Sequence, residues 1–119
     1  MVEEESDVNQ HDKCSVEWTL DVIGGKWKGV IVFHLLEGKK RFNEFRRRIP
    51  GVTQRMLTLQ LRELERDGVV HRKVYSEVPP RVEYSLTEFG QTLEPIIRNM
   101  KTWGDEYARR VAERQAEGQ

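Results

Sequence analysis

The sequence predicts a mainly α-helical domain of the α+β class with one small β-hairpin. Three observations lead there. Apolar residues recur at helical spacing between residues that cap or stop helices. The period changes toward two only after Gly68, between Val70 and Ser85. The 119 residues, 37% of them hydrophobic, suffice for one modest core, with dimerisation as a natural supplement.

Residues 1–12 are polar, acidic and without period, and a disordered arm is expected there. The folded domain is expected over 13–111. Ser15 offers an N-cap for a first helix, whose apolar residues Trp18, Val22 and Ile23 run to Gly24 and Gly25. A second helix spans about Lys26 to Leu36. Its Trp27, Val30, Ile31, Val32, Phe33, Leu35 and Leu36 cover nearly every side, as in a central core helix. Gly29 inside it costs ~1 kcal/mol relative to alanine, so another backbone is expected to pass close by. His34 is expected to be a satisfied core histidine and not a ligand. Gly38 stops this helix, and Lys39, Lys40 and Arg41 lead into a short one from Asn43 to Arg48, with Phe42 and Phe45 turned inward. Pro50 and Gly51 make the turn that follows.

The next element, at about residues 53–67, is bounded at both ends. Thr53 can cap it, Val52 and Leu57 stand at the positions of a hydrophobic staple, and Gly68 suits a left-handed residue just past its end. Leu57, Leu61 and Leu64 mark a buried face. Arg55, Arg62 and Arg66 occupy the opposite arc, with Thr58 at its edge. Taken alone, such arginines describe any solvated helix. After Gly68, Val70, Arg72 and Val74 alternate with His71, Lys73 and Tyr75 as one strand; SEVPP makes a loop, and Arg81 to Ser85 returns through Val82 and Tyr84. Two helices joined by a tight turn, the second basic on its outer face and followed by a hairpin at 69–85, compose a winged helix-turn-helix. A plain αα-corner is the rival arrangement.

Thr87 can cap the last helical region, 87–111, which Pro95 kinks or divides. Ile96, Met100, Trp103, Tyr107 and Val111 then form a stripe that nothing later in sequence can cover. Pairing of this helix and the first helix across a two-fold axis is expected, through Trp18, Ile96, Met100, Trp103 and Tyr107. Residues 112–119 are expected to be a frayed tail.

Charge distribution separates binding from mere solvation. The formal net charge is zero, but residues 1–38 carry −5, residues 39–73 carry +7 with eleven basic side chains, and the remainder is near balance. A basic middle third in an otherwise acidic or neutral chain is the footprint of a phosphate-binding surface. No apolar run approaches the ~18 residues that cross a bilayer, and the acidic start does not resemble a signal peptide, so a cytoplasmic protein without membrane contact is expected. The single cysteine, Cys14, excludes an intramolecular disulfide but permits a bond between subunits or to a small thiol. His11, His34 and His71 have no partners at ligand spacing, so no metal site and no cofactor are expected. No nucleophile, base and orienting group can be assembled by spacing, so no catalytic residues are expected.

Over roughly residues 14 to 110, the chain resembles the HxlR-type family of bacterial winged helix-turn-helix transcriptional regulators. The matching segments are Cys14 with VEWTLDVIGGKW, then RFNEFRRRIPGVTQRMLTLQLRELERDGVV, then VPPRVEYSLTEFG and the later Trp103-Gly104. The GGKW run is no phosphate-binding loop, lacking the wider glycine spacing and the Lys-Ser or Lys-Thr pair. The resemblance implies a homodimer that binds a palindromic operator and responds to a signal, often electrophile, aldehyde or oxidant stress. It also implies that the N-terminal cysteine, here Cys14, is the sensor in redox-responsive members. This chain has Cys14-Ser15 where the family often has Cys-Pro, which leaves the thiol in place but weakens the inference about its local geometry. The residues themselves offer two reasons for a larger thiolate fraction, a helix N-terminus and the adjacent Lys13; Asp12 and Glu17 act the other way. Packing at the dimer interface is the alternative role for Cys14.

The expected function is therefore sequence-specific binding of double-stranded operator DNA by a homodimer acting as a repressor, with the effector unidentified. Thr53, Gln54, Arg55 and Thr58 are expected at base edges or adjacent phosphates, with Arg55 reading guanine and Gln54 adenine. Arg46, Arg47, Arg62, Lys73 and Arg81 are expected to hold phosphates. Two alternatives keep the fold and change the function. One is a regulator sensing a small ligand between the core and the long helix, in a pocket lined by Trp18, Trp27 and Trp103. The other is a protein-association module without DNA binding.

Overall fold

The computed structural model describes residues 12–118; the expected acidic arm lies outside the described residues except for Asp12. Among the described residues six helices and two strands follow in order: α1 (Ser15–Ile23), α2 (Lys28–Leu35), α3 (Phe42–Arg48), α4 (Gln54–Arg66), β1 (Val70–Tyr75), β2 (Arg81–Leu86), α5 (Glu88–Gln91) and α6 (Glu94–Glu117). Helices α3 and α4 with the β1–β2 hairpin make a winged helix-turn-helix, and among the described residues no helix is long and apolar enough to cross a membrane.

Each boundary has a local cause. Cys14, not Ser15, holds the cap position of α1, where the Glu17 carboxylate accepts from the Cys14 N–H at 2.9 Å. Lys26 and Trp27 fall in the preceding turn, and α2 begins only at Lys28. The Arg41 N–H donates to Glu44 Oε1 at 2.9 Å and opens α3. At α4 the Thr53 hydroxyl accepts from the Met56 N–H at 3.1 Å, Val52 and Leu57 are both buried, and Gly68 takes φ +78°.

The core forms where these elements meet. Leu57, Leu61 and Leu64 of α4 pack with Ile31, Val32 and Leu35 of α2, Phe45 of α3, Val69, Val70 and Ile97. Full burial of a leucine contributes about 2 kcal/mol, so the inner face of α4 dominates its attachment. Phe45 meets Tyr84 of β2 edge-to-face, with ring centroids 6.2 Å apart, which seats the hairpin on the helices. Helix α2 is less enclosed than its composition predicts, because Val30 and part of Phe33 face an open cleft of about 330 Å³ beside α6. At Gly29 the near neighbours of a hypothetical Cβ are the Ile23 carbonyl oxygen at 3.4 Å and the side chains of Met100 and Ile97. The crowding therefore comes from the end of α1 and from α6 side chains. His34 is not a satisfied core residue. It packs edge-to-face on Phe33, and its Nδ1 lies 3.5 Å from Glu37 without a hydrogen bond.

The strands pair antiparallel with Val70 opposite Leu86, Lys73 opposite Glu83 and Tyr75 opposite Arg81. Lys40 adds a short third lane: its N–H donates to the Tyr84 carbonyl at 2.9 Å, and its own carbonyl accepts from the Tyr84 N–H at 2.8 Å. Sequence alone presents Lys40 only as an approach to α3. Strand β1 buries Val70 but leaves Val74 exposed, so half of the apolar alternation serves strand propensity and not the core.

Thr87 caps α5, accepting from the Gly90 N–H at 2.9 Å, and its hydroxyl donates to the Gly68 carbonyl at 2.6 Å. Gly90 has no room for a Cβ, which would stand 2.2 Å from the Val69 carbonyl oxygen. Pro95 lies in the first turn of α6 and so separates α5 from α6 without kinking either. Helix α6 then runs 24 residues, about 36 Å at helical rise. It extends to Glu117, well into the segment expected to be a frayed tail.

Candidate nucleic-acid interface

Helix α4 presents its N-terminal half outward. Thr53, Gln54 and Arg55 are exposed, and Arg62 lies one side of a groove between α4 and the hairpin that Arg72 and Tyr84 line from the other. Thr58 is half-buried in the same groove and donates to the Gln54 carbonyl at 2.9 Å. The Thr53 oxygen accepts one bond as a cap, which leaves its O–H and a second lone pair for other partners.

Ion pairing sorts the basic residues. Among the described residues Arg41, Arg46, Arg47, Arg55, Arg62, Arg72 and Lys73 have no carboxylate partner, and all stand on α3, α4, the hairpin or their approaches. Arg48, the last of three consecutive arginines, pairs with Glu37 at 3.3 Å, and Arg66 pairs with Asp67 at 3.5 Å. Unpaired like charges on one face repel each other, and a polyanion relieves that repulsion.

Arg81 does not share this freedom. It pairs with Glu77 at 2.9 Å and Glu83 at 3.7 Å, and its guanidinium lies 3.9 Å from the Tyr75 ring centroid. Lys73 keeps an exposed ammonium 4.8 Å from the same ring. Glu83 accepts from the Tyr75 hydroxyl at 2.9 Å. That bond, with Lys39 and Arg81 beside it, holds the carboxyl below its ordinary range against the opposing effect of burial.

Lys28, Lys39, Tyr75 and Glu83 were not singled out by sequence reasoning. Lys28 is buried at the start of α2, 2.7 Å from Glu63 of α4, and donates to the Asp21 carbonyl at 3.3 Å. It ties α4 to α1 and α2. The hairpin register places Lys73 opposite Glu83 and could have suggested a charged cluster, but not its burial.

At the far side of the domain the apolar residues expected to pair subunits are exposed: Trp18 55%, Ile96 41%, Met100 49%, Trp103 69% and Tyr107 49%. Trp103 stacks on Tyr107 with centroids 5.4 Å apart. Ile97, one position from Ile96, is buried, so the uncovered stripe adjoins the face that holds α6 to the core. No tryptophan lines the cleft between α2 and α6; Ile23, Val30, Phe33, Ile97 and Met100 do, with Lys26 and Lys101 among its lining residues. Cys14 is exposed at the start of α1. The adjacent Lys13 is engaged by the Asp21 carboxylate and lies 4.3 Å from the Trp18 ring centroid.

The profile of the HxlR-like helix-turn-helix family matches residues 22–112. The chain is 70% identical over 98 residues to the uncharacterized HTH-type transcriptional regulator YdeP of Bacillus subtilis, covering 82% of this chain and 77% of that one. The structure of the redox regulator HypR in its reduced form superposes with a TM-score of 0.78 at 70% identity, covering 84% of this chain and 98% of that one. Its oxidized form gives 0.76 at 72% identity, over 78% and 96%.

Proposed function

The chain belongs to the HxlR-like helix-turn-helix family, and we propose that it is a DNA-binding transcriptional regulator that engages a palindromic operator as a homodimer and represses the adjacent promoter. The observation that carries this reading is the gathering of cations without carboxylate partners on α3, α4 and the hairpin. Helix α4 of each subunit enters a major groove, with half-site centres about 34 Å apart. Gln54 and Arg55 read base edges, Arg55 as a bidentate donor to guanine and Gln54 to adenine, and Thr53 and Thr58 support them at the helix start. Arg46, Arg47, Arg62 and Lys73 hold phosphates. The subunits join through the α6 stripe and α1, where exposed Trp18, Ile96, Met100, Trp103 and Tyr107 need cover. A gel shift against the DNA upstream of the chain's own gene tests this. A discrete complex outlasting excess random duplex is expected, and its absence at every salt concentration would refute the reading.

Cys14 is the proposed switch. It is exposed at the N-terminus of α1, beside the proposed dimer surface, and the neighbouring HypR structures are of a redox regulator. With one cysteine per chain, its oxidation to a disulfide needs a second thiol, in the other subunit or on a small molecule. The two thiols give two protons and two electrons to a peroxide-class oxidant. Operator binding by Cys14→Ser should be insensitive to oxidant, and retained responsiveness excludes Cys14 as the sensor. The cleft between α2 and α6 favours a second reading, ligand sensing, which a thermal-shift screen of small apolar acids would reveal.

A further inference from the structure

The hairpin holds a carboxylate that the reading above does not use. Glu83 is buried, and three groups converge on it: the Tyr75 hydroxyl at 2.9 Å and the Lys39 ammonium at 3.3 Å on Oε1, and an Arg81 guanidinium nitrogen at 3.7 Å from Oε2. Glu77 holds Arg81 from the other side. Yet Arg81 lines the same surface cleft as Arg41 and Arg47, which among the described residues have no carboxylate partners. A cation stands among the proposed phosphate ligands and is neutralised from within the hairpin.

We propose that Glu83, with Glu77, determines the specificity of DNA binding: Glu83 pairs with Lys39, the two carboxylates together hold Arg81, and these pairs withhold two cations from phosphate and so limit affinity for DNA of any sequence. This rests on the DNA-binding reading. Each phosphate neutralised by a free cation steepens the dependence of log affinity on log salt by about 0.9 in B-DNA. A cation already paired with a carboxylate contributes little to that slope, because the pair must break first. Affinity that does not depend on sequence lowers the ratio of specific to non-specific binding, so a restraint on such cations raises discrimination.

The test uses the full chain and a random-sequence fluorescent duplex, with anisotropy followed from ~50 to ~200 mM salt. Glu83→Gln keeps an oxygen that can accept from Tyr75 but removes the charge. It should bind the random duplex more tightly at low salt, with a slope steeper by about 1 as Lys39 is freed, and by about 2 when Glu77→Gln is added and frees Arg81 as well. Arg81→Ala in the otherwise unchanged chain should leave the slope as it was, and added to the Glu77→Gln, Glu83→Gln chain it should remove about half of the gain. A fall of about 1 in slope from Arg81→Ala alone would overturn the proposal, because Arg81 would then already hold a phosphate. An unchanged slope in a Glu83→Gln chain whose circular dichroism and melting match the original would overturn it too. Should Glu83→Gln fail to fold, Lys39→Ala decides: an unchanged slope is expected, and a fall of about 1 would overturn the proposal, because Lys39 would then already hold a phosphate. Absence of binding by every chain at low salt would remove the DNA-binding reading itself, and this inference with it; a failure confined to the slopes removes only the role of Glu83.

Discussion

Helix α6 and the α4 face use the same residue types in opposite ways. On α6, Arg98 pairs with Glu94, Lys101 with Asp105, Arg109 with Glu106 and Glu113, and Arg110 with Glu106, while Arg114 sits near the Tyr107 ring. Most of its charges are paired within the helix and its apolar stripe is left uncovered. On α4 Leu57, Leu61 and Leu64 are buried and the cations are left over: among the described residues Arg55 and Arg62 have no carboxylate partner, and Glu63, near both in sequence, is committed to Lys28. Each region lacks a different partner. An apolar stripe calls for a second apolar surface, and unpaired cations call for an anion, so one region suits subunit pairing and the other suits nucleic acid.

The contrast is open to attack from its strongest side first. Trp103→Glu places a charge in the stripe and should leave a monomer in sedimentation. Operator affinity should fall by a factor on the order of 10², through loss of bivalency, with random-duplex binding per subunit nearly unchanged. A dimer persisting in this variant would move the interface elsewhere. Arg55→Ala should cost about 2 kcal/mol, roughly 30-fold, against the operator but little against an operator altered at the contacted base pair. Arg47→Ala should weaken both in parallel and lower the salt slope by about 1; equal behaviour of the two variants would erase the division between base reading and phosphate holding. Acid should act on the hairpin. The folded-state pKa of Glu83 lies below its unfolded value, so its contribution to stability is full above the ordinary carboxylate range. That contribution is lost as pH falls through the lowered value, and melting followed from neutral to acid pH should show a drop that Glu83→Gln lacks. Arg109→Ala, removing the exposed pairs with Glu106 and Glu113 on α6, should change stability by less than about 1 kcal/mol and leave DNA binding untouched.

Much of the fold was legible because its signals are short-range. The Thr53 cap, the Val52–Leu57 staple, Gly68 and the leucine spacing each act within a few residues, and the structure realises them all. The change of period after Gly68 announced the hairpin for the same reason. Local reasoning erred where two local signals competed. Cys14 took the cap position from Ser15 because Glu17 satisfies the Cys14 N–H. Residues 112–117, short of apolar positions, continue the helix with pairs such as Arg109–Glu113 supporting its last turns. The residues proposed to face DNA stand out in the sequence by face and charge, and the structure leaves most of them exposed. Arg81 and Thr58 are the exceptions, drawn into contacts of their own. The tryptophans expected around a pocket stand elsewhere, because the cleft is walled by the aliphatic end of α1 and by Ile97 and Met100.

Element type, order, caps and the segregation of charge into the middle third thus belong to the chain read residue by residue, since each depends on neighbours a few positions apart. Which cations are free was decided by packing. Glu37 reaches Arg48, Lys28 reaches Glu63 and Glu83 reaches Lys39 only once helices and hairpin have docked. An ion pair depends on distances of a few ångströms between residues remote in sequence, and only the tertiary fold sets those distances.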